Sequence, residues 1–144
     1  VSTVFFDTSV LVPALVDQLA NHPACFSVFR QYSSGENTAY CSTHSLAECY
    51  SVLTALPISR KITTVEARIL IEESILGTLR AVPLDDSDYR FAIRSVSDKG
   101  LSSGIVYDAL HLAAARKAGC TRIYTYNIDH FTALGPEGIE ITAP

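Results

Sequence analysis

Val4-Phe5-Phe6-Asp7-Thr8-Ser9-Val10-Leu11 is the stretch on which the fold turns. Three apolar residues stop abruptly at a polar triplet, and the apolar run resumes from Val10 to Val16 with Pro13 near its start. An unalternating apolar run suits a strand buried on both faces. Proline is tolerated in the first turn of a helix, so the stretch reads as a strand feeding a helix through Asp7.

Outward from there the same alternation repeats. Asn21-His22-Pro23 opens a second helix that ends near Ser33-Ser34-Gly35, and Thr38 to Ser42 reads as a modest strand. Ser42 to Leu56 carries the apolar stripe Leu46, Cys49, Tyr50 and Leu53 and stops at Pro57. Thr63-Thr64-Val65-Glu66 is a capping box for a helix with the stripe Ala67, Leu70, Ile71, Ile75 and Leu79. Ala81 to Leu84 reads as a strand, and Asp85-Asp86-Ser87 caps a helix to about Ser97. After the Gly100 to Gly104 loop, a helix from about Val106 to Ala118 stops at Gly119. Arg122 to Thr125 is a strand, Tyr126 to His130 a turn, and Ile139 to Ile141 a last strand. Short apolar strands separated by helices predict a three-layer α/β/α domain with a mainly parallel central sheet. With no repeat or linker, residues 1–144 are expected to form one domain.

Composition narrows the class. The chain has 144 residues, 48% hydrophobic and 18% charged, which suits a packed core and excludes a disordered chain. No apolar run reaches the roughly 18 residues of a membrane span, and the stretch from Val1 to Leu15 lacks a basic leader. Cys25, Cys41, Cys49 and Cys120 form no Cys-x-x-Cys pair and read as small buried hydrophobes in a reducing, cytoplasmic compartment. The histidines His22, His44, His111 and His130 are scattered along the chain, so zinc is not expected. A net charge of −4 is awkward for a nucleic-acid enzyme. Bound cations and a local basic face would have to offset it, with Arg60, Lys61, Arg90, Arg94, Lys99, Arg116 and Lys117 as candidates.

The chemistry-bearing residues lie where strands end. In an open parallel sheet, ligands bind beyond the carboxyl ends of the strands. Asp7 ends the first strand, and the Thr125-Tyr126-Asn127-Ile128-Asp129 turn ends the fourth. Glu48 lies one turn into the helix after the second strand, and Asp108 begins the helix that feeds the fourth. Carboxylates pressed together raise one another's pKa unless cations neutralise them, and Mg²⁺ or Mn²⁺ prefers such oxygen ligands. Each acid also has a purely structural alternative. Asp7 suits an N-cap, Ser45-Leu46-Ala47-Glu48 a capping box, and Asp108 the positive end of a helix dipole. His111, one turn after Asp108, reads as a packed or surface residue that could alternatively touch phosphate or the site, and Tyr107, Tyr126 and Phe131 as packing residues that could alternatively stack on bases.

Four segments in this order and spacing resemble a known family. They are Val4 to Leu11, Ser45 to Thr54 with Leu56-Pro57, Tyr107-Asp108-Ala109-Leu110-His111-Leu112-Ala113-Ala114-Ala115, and Thr125 to Phe131. Together they resemble PIN-domain proteins, and more narrowly the VapC-type toxins of toxin–antitoxin pairs. The resemblance implies an endoribonuclease that uses Mg²⁺ or Mn²⁺ and a water nucleophile. It places Asp7, Glu48 and Asp108 as the catalytic and metal-binding acids, with Thr8 or Ser9 supporting the metal and Thr125 steadying the site. It further implies a homodimer, an RNA substrate and a VapB-like antitoxin. The hydrophobic helices at Asn21 to Ser33 and Thr63 to Leu79 are candidate partner surfaces, though both also suit an internal core.

The sequence departs from the family at one place. Many relatives carry Asp two residues after the threonine, where this chain has Asn127, with Asp129 two further on. Asn127 accepts hydrogen bonds but adds no charge, so either Asp129 takes the fourth acidic position or the site runs on three carboxylates. A catalytically weak module that binds RNA or protein is the alternative function. A phosphatase using an aspartyl nucleophile would place a second Asp at position 9, which is Ser9, and no phosphate-binding glycine loop is present.

Overall fold

β1 (Thr3–Phe6) is the middle strand of a five-stranded sheet of order β3-β2-β1-β4-β5, with β2 (Thr38–Ser42), β3 (Arg80–Val82), β4 (Arg122–Tyr124) and β5 (Glu140–Thr142). Every pairing is parallel, so the expectation of a mainly parallel sheet is exceeded. The computed structural model describes residues 2–33 and 36–144. Ser34 and Gly35, expected at the end of the second helix, lie outside the described residues, as does Val1.

The alternation of side chains along β1 builds the three layers. Val4 and Phe6 point to one face, with Ala39 and Cys41 of β2 and Tyr124 of β4. That face is covered by α1 (Thr8–Leu15), α2 (His22–Gln31), α3 (Thr43–Ala55), α4 (Thr64–Ile69) and the π-helical turn Leu70–Ile75. Phe5 points the other way, with Ile123, onto α5 (Asp86–Asp98), α6 (Ile105–Lys117) and α7 (Ile128–Ala133). Phe6 stacks on Tyr124 at 5.4 Å between centroids and meets Tyr32 edge-on at 5.9 Å, and Phe5 packs beneath the His111 ring at 5.6 Å. The strand quoted at the outset thus supplies the core of both layers, and truncating either phenylalanine costs about 3–5 kcal/mol.

Several boundaries follow local chemistry. Thr63 and Glu66 exchange the expected capping-box bonds, both at 3.1 Å, and Asp85 caps α5 by accepting from the Asp88 amide at 3.1 Å. Four expectations need correction. Pro13 lies inside α1, not in its first turn, and its carbonyl is 2.8 Å from His22 Nδ1. The helix after Thr63 widens at Leu70, where the Leu76 amide reaches back five residues to the Ile71 carbonyl while Ile71 and Ile75 stay buried. The box at α3 pairs Ser42 with Ser45, which frees Glu48 from any capping role. Finally, the segment read as a turn ending at His130 continues into α7, because Phe131 and Leu134 bury one side of it.

Candidate metal centre

The strand order reverses direction between β1 and β4, so their carboxyl ends flank a crevice at the switch point of the sheet. Asp7 leaves β1 there, and its amide bonds the Tyr124 carbonyl at 3.0 Å. Asp7 occupies the N-cap position of α1 but its side chain makes no capping bond. Its two carboxylate oxygens have different surroundings. Oδ2 accepts hydrogen bonds from Ser9 Oγ and Thr125 Oγ1, both at 2.8 Å, with Asn127 Nδ2 at 3.5 Å. Oδ1 faces His111 Nε2 at 3.7 Å. Three neighbours therefore orient one oxygen and leave the other free to act as a ligand.

Glu48 arrives from α3, where Ser42 and Ser45 cap each other's amides at the helix start. Its Oε1 lies 3.6 Å from His111 Nε2 and its Oε2 3.3 Å from His44 Nε2. Burial pushes the Glu48 carboxyl up, but the adjoining His111 and the charge of His44 prevail and hold it below its ordinary value. His111 itself is fully buried. Burial draws its pKa down, and the carboxylates of Glu48, Asp7 and Asp108 more than offset this, raising it. Potential ligand atoms of Asp7, Glu48 and His111 all lie within 4.8 Å of one another.

Asp108 is placed differently. It sits in the first turn of α6, 6% exposed, and its Oδ2 is 2.7 Å from His130 Nδ1. Burial, joined by the charge of Asp7, pushes its carboxyl above the ordinary aspartate value despite the His130 contact. The helix-dipole reading of Asp108 thus describes its position, while its side chain serves the pair with His130.

The remaining candidates fall into two groups. Ser9 and Thr125 act on Asp7, with Tyr126 N donating to Ser9 Oγ at 3.0 Å and Asn127 N to Thr125 Oγ1 at 2.9 Å. Thr8 is buried, and its hydroxyl has no hydrogen-bond partner among the described residues. Asn127 and Asp129 are exposed at the start of α7, and neither Asp129 nor Asp108, expected as a metal ligand, belongs to the group of converging ligand atoms. Phe131 is completely buried and so is removed from the base-stacking candidates, whereas Tyr107 is half exposed and lies flat on His44 at 5.0 Å.

The histidines were the residues that sequence reasoning undervalued. Scattered in the chain, three of them gather here: His44 against Glu48, His111 between Asp7 and Glu48, and His130 against Asp108. The available signal was helical spacing, since His44 precedes Glu48 by four residues and His111 follows Asp108 by three, placing each pair on one helix face. The expected basic face is partly occupied by structural work. Arg60 pairs with Glu66, Arg90 with Asp86 and Lys117 with Asp88, while Arg116 binds the Glu137 and Gly135 carbonyls. All four cysteines are buried and free.

The cluster fits a divalent cation. One carboxylate oxygen is held free, a buried imidazole nitrogen and a buried hydroxyl lack partners, and a second acid stands alongside.

Comparison with known proteins identifies the family. The PIN domain family matches residues 4–135. Ribonuclease VapC27 of Mycobacterium tuberculosis is 35% identical over 109 residues, covering 76% of this chain and 74% of that protein. Among solved structures, the Mycobacterium tuberculosis toxin VapC20, described as cleaving the sarcin-ricin loop, superposes with a TM-score of 0.73 at 18% identity. That match covers 94% of this chain and 98% of VapC20. VapBC2 from Rickettsia felis, solved bound to a promoter DNA fragment, gives a TM-score of 0.67 at 16% identity over 99% of both chains. At these identities the solved structures speak for the fold, whereas the family match and VapC27 speak for descent. The chain belongs to the PIN-domain family, among its VapC-type members.

Proposed function

We propose that this chain is a metal-dependent endoribonuclease, the toxin of a VapBC-type pair, acting as a single cytoplasmic domain that pairs with a second copy of itself. The observation that carries the reading is the convergence of Asp7 Oδ1, Glu48 and His111 Nε2 at the switch point of a parallel sheet, beside Asp108. Among the described residues no helix is long and apolar enough to cross a membrane. The similarity to VapC27 supports RNA as substrate, and the VapBC2 neighbour supports a small antitoxin partner.

Asp7, Glu48 and Asp108 form the acidic centre of this reading. Asp7 and Glu48, with Asp108 at the rim, would hold a divalent cation, Mg²⁺ or Mn²⁺, which would supply charge stabilisation for the scissile phosphate and acidify a water. The chain's own residues do the placing. Ser9 and Thr125 fix Asp7 so that Oδ1 faces the cluster, and Thr8 offers a buried hydroxyl. The Asp108–His130 pair sits at the rim, where His130 is more than half exposed and stands at the entrance for an anionic strand. Asp129, exposed two residues after Asn127, contributes its charge on the substrate side.

Incubation of purified protein with RNA, with Mg²⁺ or Mn²⁺ and against EDTA, tests this directly. Cleavage is expected with metal and is expected to vanish in EDTA and in Asp7→Asn. Cleavage that persists under both treatments overturns the metal-centre reading.

A further inference from the structure

His111 Nε2 is completely buried and has no hydrogen-bond partner among the described residues, although two carboxylates face it. Its distances to Asp7 Oδ1 and Glu48 Oε1 are 3.7 and 3.6 Å. A hydrogen bond from imidazole to carboxylate closes to about 2.7–2.9 Å, so neither contact is one. The nitrogen stands off equally from both oxygens. Ligand atoms around an ion at about 2.1 Å are separated by about 3.0 Å in an octahedron and about 3.4 Å in a tetrahedron. The observed spacing is a few tenths of an ångström wider than the tetrahedral edge, within reach of side-chain movement alone.

The other side of the ring is set to match. Ser42 Oγ lies 3.0 Å from His111 Nδ1, and it also accepts the Ser45 amide at 3.0 Å as the cap of α3. With Nδ1–H donated to Ser42, an incoming cation that displaces the Nε2 proton would meet a lone pair directed between the carboxylates. Fixing the second ring nitrogen in this way is how proteins orient histidines that bind metals. Phe5 packs against the same ring and closes off its alternatives.

We infer that His111 is a metal ligand, completing with Asp7 and Glu48 a site of one nitrogen and two carboxylates that selects a first-row transition ion over Mg²⁺. The inference rests on the metal-dependent reading of the site and deepens it. Imidazole nitrogen is a softer ligand than carboxylate and favours Mn²⁺ less than Zn²⁺ or Fe²⁺, but all of these over Mg²⁺. A site of oxygen ligands alone lacks that bias.

The test is pulsed electron paramagnetic resonance of the protein loaded with Mn²⁺ in an amine-free buffer. Direct nitrogen coupling is expected in the wild type, and labelling histidine with ¹⁵N is expected to convert that signal without altering a single residue. His111→Gln, checked for folding by circular dichroism, is expected to abolish the coupling. It should also weaken Mn²⁺ binding in calorimetry by about tenfold or more, against less than about threefold for Mg²⁺. Mn²⁺ bound without nitrogen coupling in the wild type overturns the ligand role while leaving a metal nuclease intact. Failure to bind Mn²⁺ at all overturns it too, and RNA cleavage assayed with Mg²⁺ then decides separately on the nuclease reading.

Discussion

On the strand side of the site, Asp7 is 2% exposed and His111 is sealed, whereas on the side of the β4–α7 turn Asn127, Asp129 and His130 all stand in solvent. The first side is braced by three separate parts of the chain. β1 brings Asp7, the capped start of α3 brings Glu48, and α6 brings His111 with Phe5 beneath it. The second side depends on a six-residue helix whose N-cap, Asn127, makes no side-chain capping bond. Preorganised charge therefore sits where the core can hold it, and the adaptable groups sit on the solvent side. An uncharged residue at position 127 therefore falls in the adjustable half and leaves the rigid half untouched.

The largest effect should come from comparing substitutions across the two halves. Asp7→Asn is expected to lower the cleavage rate by more than about a hundredfold, beyond the range usual for residues that only support a metal site. Asp129→Asn should cost about tenfold, and Asn127→Ala less than that, in the same assay. Equal and negligible effects of the two turn variants would make the turn purely structural.

A smaller effect concerns pH and the rim. Asp108 is pushed above the ordinary aspartate value by burial and by Asp7. A carboxyl raised in this way contributes stability that is fully present below its unfolded pKa and is lost as pH rises through the folded one. In metal-free protein, Asp108→Asn keeps a hydrogen-bonding group for His130 and removes the buried charge. Its melting temperature should exceed that of the wild type at pH 7, and the two should converge in acid below the ordinary aspartate range. A lower melting temperature at pH 7 would show that the His130 pair outweighs the cost of burial.

The smallest effect reports on local opening. Burial pushes the thiols of Cys41 and Cys49, in the braced half, up to about 12. Cys25 is also buried, but its Sγ is 3.3 Å from the hydroxyl of Tyr126, in the adjustable turn. In native protein, Cys25 should therefore react with a thiol reagent before Cys41 and Cys49, as the turn opens more readily than the core. Reaction of Cys49 at the rate of Cys25 would erase the contrast between the two halves.

Much of this was legible from the chain. The apolar run Val4 to Phe6 followed by Asp7, the capping signals at Thr63 and Asp85, and Gly119 after α6 marked the alternation of strand and helix, because each depends on neighbouring residues alone. α7 escaped notice because Phe131 and Leu134 make it helical by packing on the second core, and six residues carry too little periodicity to show it. Glu48 was visible as an acid, but its release from capping came from Ser42 and Ser45 taking that role.

The sequence by itself determined that the domain is α/β, that its acids end strands or begin helices, and that position 127 lacks a charge. Only the tertiary structure decided which oxygen of Asp7 is free, that Asp108 turns to His130, and that His111 stands unpartnered between two carboxylates. The reason is physical: residue type and spacing specify local hydrogen bonds, whereas positions 7, 48 and 111 meet only once α3 and α6 have packed on opposite faces of the sheet around β1. For Asp7 and Glu48, chemical identity came from the chain and their approach to His111 from the fold, whereas Asp108 was turned aside to His130.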